Sequence, residues 1–416
     1  MIKNIKIYTS NCGIKYKNRD DLLLIDFPNG ATVAGVFTKS SMPASPVEWC
    51  KKNIDKHYVR ALVVNSGNAN AFTGKIGDET VLKTANTVAK NLKCKIEEVL
   101  ICSTGVIGET LNADLICNAI APMIESGDQN KLDSSVAKID ADLLVEENFY
   151  QEQMFNKASL AIMTTDTTKK IVRRTCQVGH KTVHLVGFAK GSGMIAPNLA
   201  TMLGYIFTDA KIAGNTLQKI LEKAVEKSFN SITVDSDQST NDTVLLFATN
   251  SVGEYQISDS SSKDLNNFIT TLNEVCLELA KKIVIDGEGA KKLIEISVEN
   301  ATTQIQAKEV AMAIANSPLV KTAIAGADPN WGRIVMAVGK SCQEANPETL
   351  LVKIGEHPLT KNGAKHPQYN EEIVHQYLKN SEVKITVNLA IGIHSSTVWT
   401  CDLNEEYIKI NKDYRT

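Results

Sequence analysis

"KGSGMIAPNLATMLGYIFTDA", residues 190–210, decides how this chain is read. "HLVGFAK" (184–190) enters it with the composition of a strand, and "TMLGYIF" (201–207) leaves it in the same manner. Between them lie Gly191, Gly193, Pro197 and the pair Ala200–Thr201. Glycine admits backbone conformations closed to other residues, and proline fixes one. Such a segment is a phosphate-binding loop, an ordinary turn between strands, or a backbone held ready for chemistry at Thr201.

Gly191, Gly193 and Ala196 match G-x-G-x-x-A after a strand, the form of a dinucleotide fingerprint. That fingerprint needs a helix to start inside the loop and point its N-terminus at the phosphates. Pro197 stands where the helix should continue, and Lys190 precedes the glycines instead of following them as in a Walker loop. The chemical reading needs a base, because a hydroxyl is a weak nucleophile until its proton is taken. The chain has seven histidines, none in the small-residue polar loops; His180 and His184 border a hairpin turn, and His394 in "GIHSSTVW" is the remaining candidate. A threonine that becomes an N-terminus carries its own base, an α-amino group of pKa ~7.7–8.0. The Thr201 hydroxyl would attack the Ala200 carbonyl, shift the chain from nitrogen to oxygen, and leave an ester for water to open.

Composition bounds the alternatives. The chain has 416 residues, 43% hydrophobic and 22% charged, which suits two or three domains or one large layered domain. A net charge of −2 without a dense Lys/Arg stripe gives no footprint for nucleic acid. No apolar run reaches the ~18–20 residues of a membrane span, and "MIKNIKIYTS" lacks the apolar core of a secretory signal. Nine irregularly spaced cysteines without a C-x-x-C pair fit reduced thiols in a cytoplasmic protein, with neither a zinc site nor a disulfide framework.

Along the chain, "DLLLIDF" and "ATVAGVFT" flank Pro28-Asn29-Gly30 and read as a hairpin. "ALVVN" reads as a buried strand running into "NSGNANA". Residues 78–92 and 111–126 have helical spacing and flank the strand "EVLICS". "SLAIMTT" and the pair "TCQVGH"/"TVHLVGFA" read as further strands. Asn215 and Gln218 suggest a capping box before the stripe Leu217, Ile220, Leu221, Ala224. Leu265, Phe268, Ile269, Leu272, Val275, Cys276 and Leu279 mark a longer helix. "VKITVNLAIGI", "STVWTC" and "EYIKIN" read as closing strands. Strands and helices without strict alternation predict an α+β or layered α/β sandwich with a shared core.

"NSGNANA", "STGVIGE", "TTDT", "KGSGMIAPNLATML", "STNDT", "DGEGA" and "DPNWGR" follow one another in an order that resembles the ornithine acetyltransferase family, the bifunctional glutamate N-acetyltransferases of arginine biosynthesis. The resemblance runs from "GIKYKNRDDLLLI" to "KINKDYRT"; Ser236 and Gln238 depart from it, standing where glycine and a smaller polar residue are expected. It implies a layered αββα-type α/β sandwich built from two chains of one precursor, an α chain of residues 1–200 and a β chain of 201–416. It further implies Thr201 as nucleophile, Ala200–Thr201 as the cleavage site, and Thr104 with Gly105 as oxyanion donors. Thr164 (with neighbouring Thr165 as the alternative), Lys190, Thr201, Glu288, Asn411 and Thr416 become substrate-binding, with Lys190 toward an α-carboxylate and Glu288 toward the ornithine ammonium. Asp328, Asn330, Trp331 and Arg333 form either a functional loop or, through Asp328 and Arg333, a structural pair. The implied reaction moves acetyl from N2-acetylornithine to glutamate with no metal or cofactor, acetyl-CoA remaining open as a donor, in a cytoplasmic dimer of αβ units. A second enzyme class shares the implied fold and self-cleavage, the N-terminal-nucleophile aminopeptidases and amidohydrolases.

Overall fold

A computed structural model describes residues 1–129, 140–196 and 202–412. The chain is mixed α/β and divides into two units. The first comprises the described residues of Met1–Gly191, Asn198–Phe229 and Gln238–Leu279; the second comprises those of Ser192–Pro197, Asn230–Asp237 and Ala280–Thr416.

The first unit carries an eight-stranded sheet: β1 (Lys6–Ser10), β2 (Leu22–Phe37), β3 (Tyr58–Asn68), β4 (Val99–Val106), β5 (Lys170–Val178), β6 (Lys181–Lys190), β7 (Leu203–Ile212) and β8 (Thr243–Ile257). Its order is β4-β3-β2-β8-β7-β6-β5, with β1 also on β2. Pairs β3–β4 and β7–β8 are parallel and the others antiparallel. Its helices are α1 (Ser45–Asn53), α2 (Gly74–Leu92), α3 (Ala113–Gln129), α4 (Asp140–Ala161), α5 (Gly214–Glu226) and most of α6 (Asn266–Ile285).

Period-two alternation gives this sheet two apolar faces. Leu23, Ile25, Leu62 and Val64 pack with Phe155, Ala158 and Ala161 of α4, while Leu22, Leu24, Ala61 and Val63 pack with α2 and α3 through Val81, Ala85, Ile116 and Ile120. An aromatic stack fills the first face: Phe207 of β7 lies 5.1 Å from Phe247, 5.7 Å from Phe188 and 5.5 Å from Phe155, centroid to centroid. Against β6 the α6 helix lies so close that a Cβ on Gly187 would stand 2.9 Å from Leu279 Cδ1. Strands β6 and β7 are antiparallel neighbours, with Lys190 opposite Leu203, so the chain leaves the sheet after Lys190 and re-enters it at Leu203 in adjacent positions.

The second unit holds a five-stranded sheet formed by β9 (Leu293–Ala301), β10 (Leu351–Ile354), β11 (His357–Pro358), β14 (Glu382–Asn388) and β15 (His394–Cys401), in the order β11-β10-β14-β9-β15. A small ladder of β12 (Thr360–Lys361) and β13 (Ala364–Lys365) stands beside it in sequence. Ile294, Ile296, Val298, Ile385 and Val387 meet α7 (Gln304–Ala315), α8 (Pro318–Ala325), α9 (Trp331–Lys340) and α10 (Glu371–Leu378) in one buried cluster. The last helix is α11 (Glu405–Lys412). No helix among the described residues is long and apolar enough to cross a membrane.

Four local expectations are corrected. Pro28-Asn29-Gly30 does not reverse the chain: β2 continues through it, pairing with β3 at Asp26–Ala61 and again at Ala31–Val59. The extra residues bulge outward opposite Arg60, whose Nε donates to the Phe27 carbonyl at 2.7 Å. Ser159, Leu160 and Ala161 close α4 instead of forming a strand, and Ile162 and Met163 follow in the turn after it; Phe155, Ala158, Ala161 and Ile162 are buried, and a short apolar run has no period of its own. The capping box before α5 is absent. Ala213 is the N-cap, Asn215 Oδ1 faces His57 Nε2 at 3.0 Å, and Gln218 holds both the N–H and C=O of Gly35. "EYIKIN" is helical, because Glu405 and Glu406 occupy its first turn and Asn404 Oδ1 accepts the Glu406 N–H, so local capping overrides the alternation.

The aromatic stack braces the strand that follows residue 201. Phe207→Ala removes a ring that stacks or tilts against four others, those of Phe27, Phe155, Phe188 and Phe247, and we predict a loss of ~3–5 kcal/mol in guanidinium unfolding. A loss under about 1 kcal/mol would show that the stack does not set the stability of this sheet.

Candidate active site

In the first unit, β4 delivers Thr104 and Gly105 in parallel register with Ser66 and Gly67 of β3. Asparagines tie the "NSGNANA" loop to this edge. Ser103 Oγ donates to Asn65 Oδ1 at 2.6 Å, Asn65 Nδ2 to the Asn68 carbonyl at 2.9 Å, and Asn68 Nδ2 to the Glu109 carbonyl at 3.0 Å. Gly105 has φ +137°, and a Cβ there would lie 2.2 Å from the Gly67 carbonyl carbon. Only glycine fits so close a backbone approach.

Lys190 closes β6 and is buried, its Nζ donating to Thr104 Oγ1 at 3.3 Å. That bond leaves the Thr104 hydroxyl hydrogen for another acceptor. Asp166, in the turn before β5, organises the surroundings. Its Oδ1 accepts Lys170 Nζ at 2.6 Å and the Gly191 N–H at 2.7 Å, and its Oδ2 accepts the Thr164 N–H at 3.0 Å. Burial alone would raise this carboxyl, but Lys190, Lys170 and the Gly191 amide more than offset it and hold it down at about 2. One carboxylate thereby fixes Thr164 and the peptide that follows Lys190.

In the second unit, Glu288 lies in the turn after α6 and is largely buried. Its N–H donates to the Ser192 carbonyl at 3.0 Å, and Ser192 Oγ donates to the Asp286 carbonyl at 2.6 Å. Gly193 lies flush against the Glu288 carboxylate, where a Cβ would come within 2.4 Å of Oε2. Asn411 of α11 donates from Nδ2 to the same Oε2 at 2.7 Å and to the Tyr407 carbonyl at 3.0 Å. Asp235 accepts the Met194 N–H at 2.5 Å and the Ile195 N–H at 2.9 Å, and takes the Tyr407 hydroxyl at 3.3 Å. Met194 has φ +57°, so the segment before Pro197 is held in a conformation its side chain disfavours. Ser236 has φ +68°, which explains why glycine suits that position better.

Thr104, Gly105, Thr164 and Lys190 thus belong to the first unit, and Glu288 and Asn411 meet in the second. Ala200, Thr201 and Thr416 lie outside the described residues. Sequence reasoning missed Asp166, although it sits inside the "TTDT" motif, and Asp235, whose work is visible only through the amides it accepts. No helix begins within residues 191–196, so the dinucleotide reading lacks the element it requires. Of the two readings of the 328–333 loop, the structural pair does not form: Arg333 Nη1 donates to the Leu319 carbonyl at 2.8 Å, and Asp328 accepts from Asn330. Among the described residues, no three His, Cys, Asp or Glu side chains gather as a metal site. All nine cysteines are thiols.

The ArgJ family model matches residues 6–416. The chain belongs to the ArgJ family. It is 44% identical over 422 residues to the arginine biosynthesis bifunctional protein ArgJ of Bradyrhizobium diazoefficiens, covering all of this chain and 96% of that protein. A crystal structure of ArgJ from Bacillus halodurans is 42% identical, covers 49% of this chain and 95% of its own, and has a TM-score of 0.47. A crystal structure of ornithine acetyltransferase with ornithine from Mycobacterium tuberculosis is 30% identical, covers 48% and 94%, and has a TM-score of 0.38. The ArgJ assignment bears out the family resemblance read from the seven motifs.

Asp166→Asn removes the buried carboxylate charge that faces the Lys170 ammonium at 2.6 Å, and we predict a loss of ~3 kcal/mol at pH 7 in guanidinium unfolding. The carboxyl is held low in the folded state, so its contribution is complete above the ordinary aspartate pKa of ~3.9 and disappears as pH falls toward about 2. Wild type therefore loses stability across that window, and the Asn variant lacks this component. Equal stability of the two proteins at pH 7 would refute the organising role of Asp166.

Proposed function

We propose that this chain cuts itself between Ala200 and Thr201 and then moves acetyl from N2-acetylornithine to glutamate through acetyl-Thr201. The chain is an acetyltransferase of arginine biosynthesis, as its full-length kinship to ArgJ supports. The observation that carries the chemical reading is the buried Lys190–Thr104 contact, which sets a cation and an oriented hydroxyl together.

In the proposed self-cleavage, Thr201 Oγ attacks the Ala200 carbonyl, the C–N bond breaks, and the nitrogen takes the hydroxyl proton. Water then opens the ester to give a carboxylate on Ala200 and a free α-amino group on Thr201. In transfer, that amine accepts the Thr201 hydroxyl proton as Oγ attacks the acetyl carbonyl. The Thr104 hydroxyl and Gly105 N–H donate to the developing oxyanion, each such donor contributing about 3–4 kcal/mol. The proton passes to the leaving ornithine nitrogen, and glutamate's amine takes the acetyl in the reverse sequence. Lys190 pairs with the substrate α-carboxylate and Glu288 with the ornithine ammonium, with Thr164, Asn411 and Thr416 completing the binding set. The cycle draws on no metal or cofactor, and we include acetyl-CoA as a second donor to be tested. The two fragments form an αβ unit, paired as a dimer in the cytoplasm. The aminopeptidase alternative is not favoured, since family membership supports transfer.

Two outcomes test this reading. Purified wild type runs as two fragments of similar size on a denaturing gel, with Thr-Met-Leu-Gly at the head of the downstream one, while Thr201→Ala stays whole and inactive. A single intact band from active wild type would falsify the mechanism. Lys190→Met raises KM for N-acetylornithine by about tenfold or more in protein that has matured normally. An unchanged KM would remove Lys190 from the carboxylate.

A further inference from the structure

Two adjacent residues ahead of β8 reach opposite parts of the first unit. Asn241 Nδ2 donates to the Ser103 carbonyl at 2.9 Å and to the Ala69 carbonyl at 2.6 Å. Ser103 is the residue before Thr104, and Ala69 belongs to the asparagine-rich loop. Asp242 Oδ1 accepts the Met202 N–H at 2.8 Å, and Met202 directly follows Thr201. The Met202 carbonyl in turn accepts the Thr243 N–H at 3.2 Å, immediately before Leu203 and Thr243 pair as β7 and β8. The Asp242 carbonyl accepts the Thr38 N–H at 3.0 Å, fastening the dipeptide itself to β2's end.

Both side chains are buried, and their polar reach is specific. Thr240 Oγ1 donates to Asn241 Oδ1 at 2.5 Å, which fixes the amide so that its nitrogen faces the two carbonyls. Asp242 Oδ2 is buried, with no hydrogen-bond partner among the described residues. Burial pushes this carboxyl well above the ordinary carboxylate range, against the pull of the Met202 amide and Lys190. A neutral acid still offers Met202 the accepting oxygen it needs.

We infer that Asn241 and Asp242 are a positioning pair that sets the separation between the Thr201 nucleophile and the Thr104–Gly105 donors. Asn241 pins the strand end carrying the donors, and Asp242 pins the peptide leaving the nucleophile. Consecutive residues cannot drift apart, so the two halves of the chemistry share one short backbone ruler. An error of about 1 Å in such a separation costs on the order of a hundredfold in rate. The inference rests on the roles proposed above for Thr201 and Thr104.

The test uses the full chain as Asn241→Ala, Asp242→Ala and Asp242→Asn. Acetyl-Thr201 formed from labelled N-acetylornithine counts competent sites, and kcat and KM are then expressed per site. We expect both alanine variants to lose about tenfold or more in kcat per site, with KM for N-acetylornithine within about threefold of wild type. Asp242→Asn, which keeps an accepting oxygen, rescues kcat to within about threefold. A merely structural role would lower the number of sites and the Tm while leaving kcat per site unchanged, and that result overturns the inference. So does an Asp242→Asn variant as impaired as Asp242→Ala, because the acid proton would then matter and not the acceptor. If the alanine variants do not fold, Asn241→Asp and Asp242→Asn decide: the first removes both donors at constant volume and loses kcat per site, and the second does not. Retained transfer in Thr201→Ala would instead sink the proposed function, a result these variants cannot mimic.

Discussion

Asp166 shares its two oxygens among the buried ammonium of Lys170, the buried backbone amide of Gly191 and the amide of half-buried Thr164. A buried carboxylate is tolerated only when charge and hydrogen bonds offset the loss of hydration. Here the offset comes from the end of β6, the start of β5 and the turn before it, so satisfying one charge brings three chain segments to fixed positions. Lys190 lies within that frame, and its ammonium is thereby aimed at Thr104. The geometry of the candidate site is in this sense a consequence of neutralising Asp166.

The same logic recurs with different donors. Where an acid is not used, asparagine side chains satisfy backbone groups that a tight loop leaves unpaired, as Asn65, Asn68 and Asn241 do around Ser103 to Gly105. Glycine enters where backbones must approach more closely than a Cβ permits, at Gly105 against Gly67 and at Gly193 against Glu288. The second unit repeats the carboxylate device with Asp235, which accepts two successive amides and keeps Met194 in a left-handed conformation. Rigid support beneath reacting groups reduces the reorganisation that chemistry would otherwise require.

Much of the fold was legible where apolar periodicity was long. The helices at 78–92 and 111–126, the α6 stripe, and the hairpin of β5 and β6 all follow from period and turn residues. Legibility ended where tertiary contact outweighed local pattern. Pro28-Asn29-Gly30 has turn chemistry, yet pairing with β3 on both sides carries β2 on through a bulge; "SLAIM" was too short to declare a period; Asn215 and Gln218 spend their side chains on His57 and Gly35. In the site, the family resemblance named Thr104, Lys190, Glu288 and Asn411, and the structure adds the direct Lys190–Thr104 and Asn411–Glu288 bonds. Asp166, Asp235 and Asp242 stayed hidden because each accepts at least one backbone amide far away in sequence, from Gly191, from Met194 and Ile195, and from Met202, which no spacing rule encodes.

In the proposed cycle an acetyl group rests on Thr201 between donor and acceptor. Intact-mass and peptide mass spectrometry of the purified protein, after mixing with N-acetylornithine and no glutamate, tests it most directly. One added acetyl group is expected on the fragment beginning at Thr201, carried by its hydroxyl oxygen and discharged when glutamate is added. An unmodified fragment during active turnover, or an acetyl group that glutamate does not remove, would contradict it.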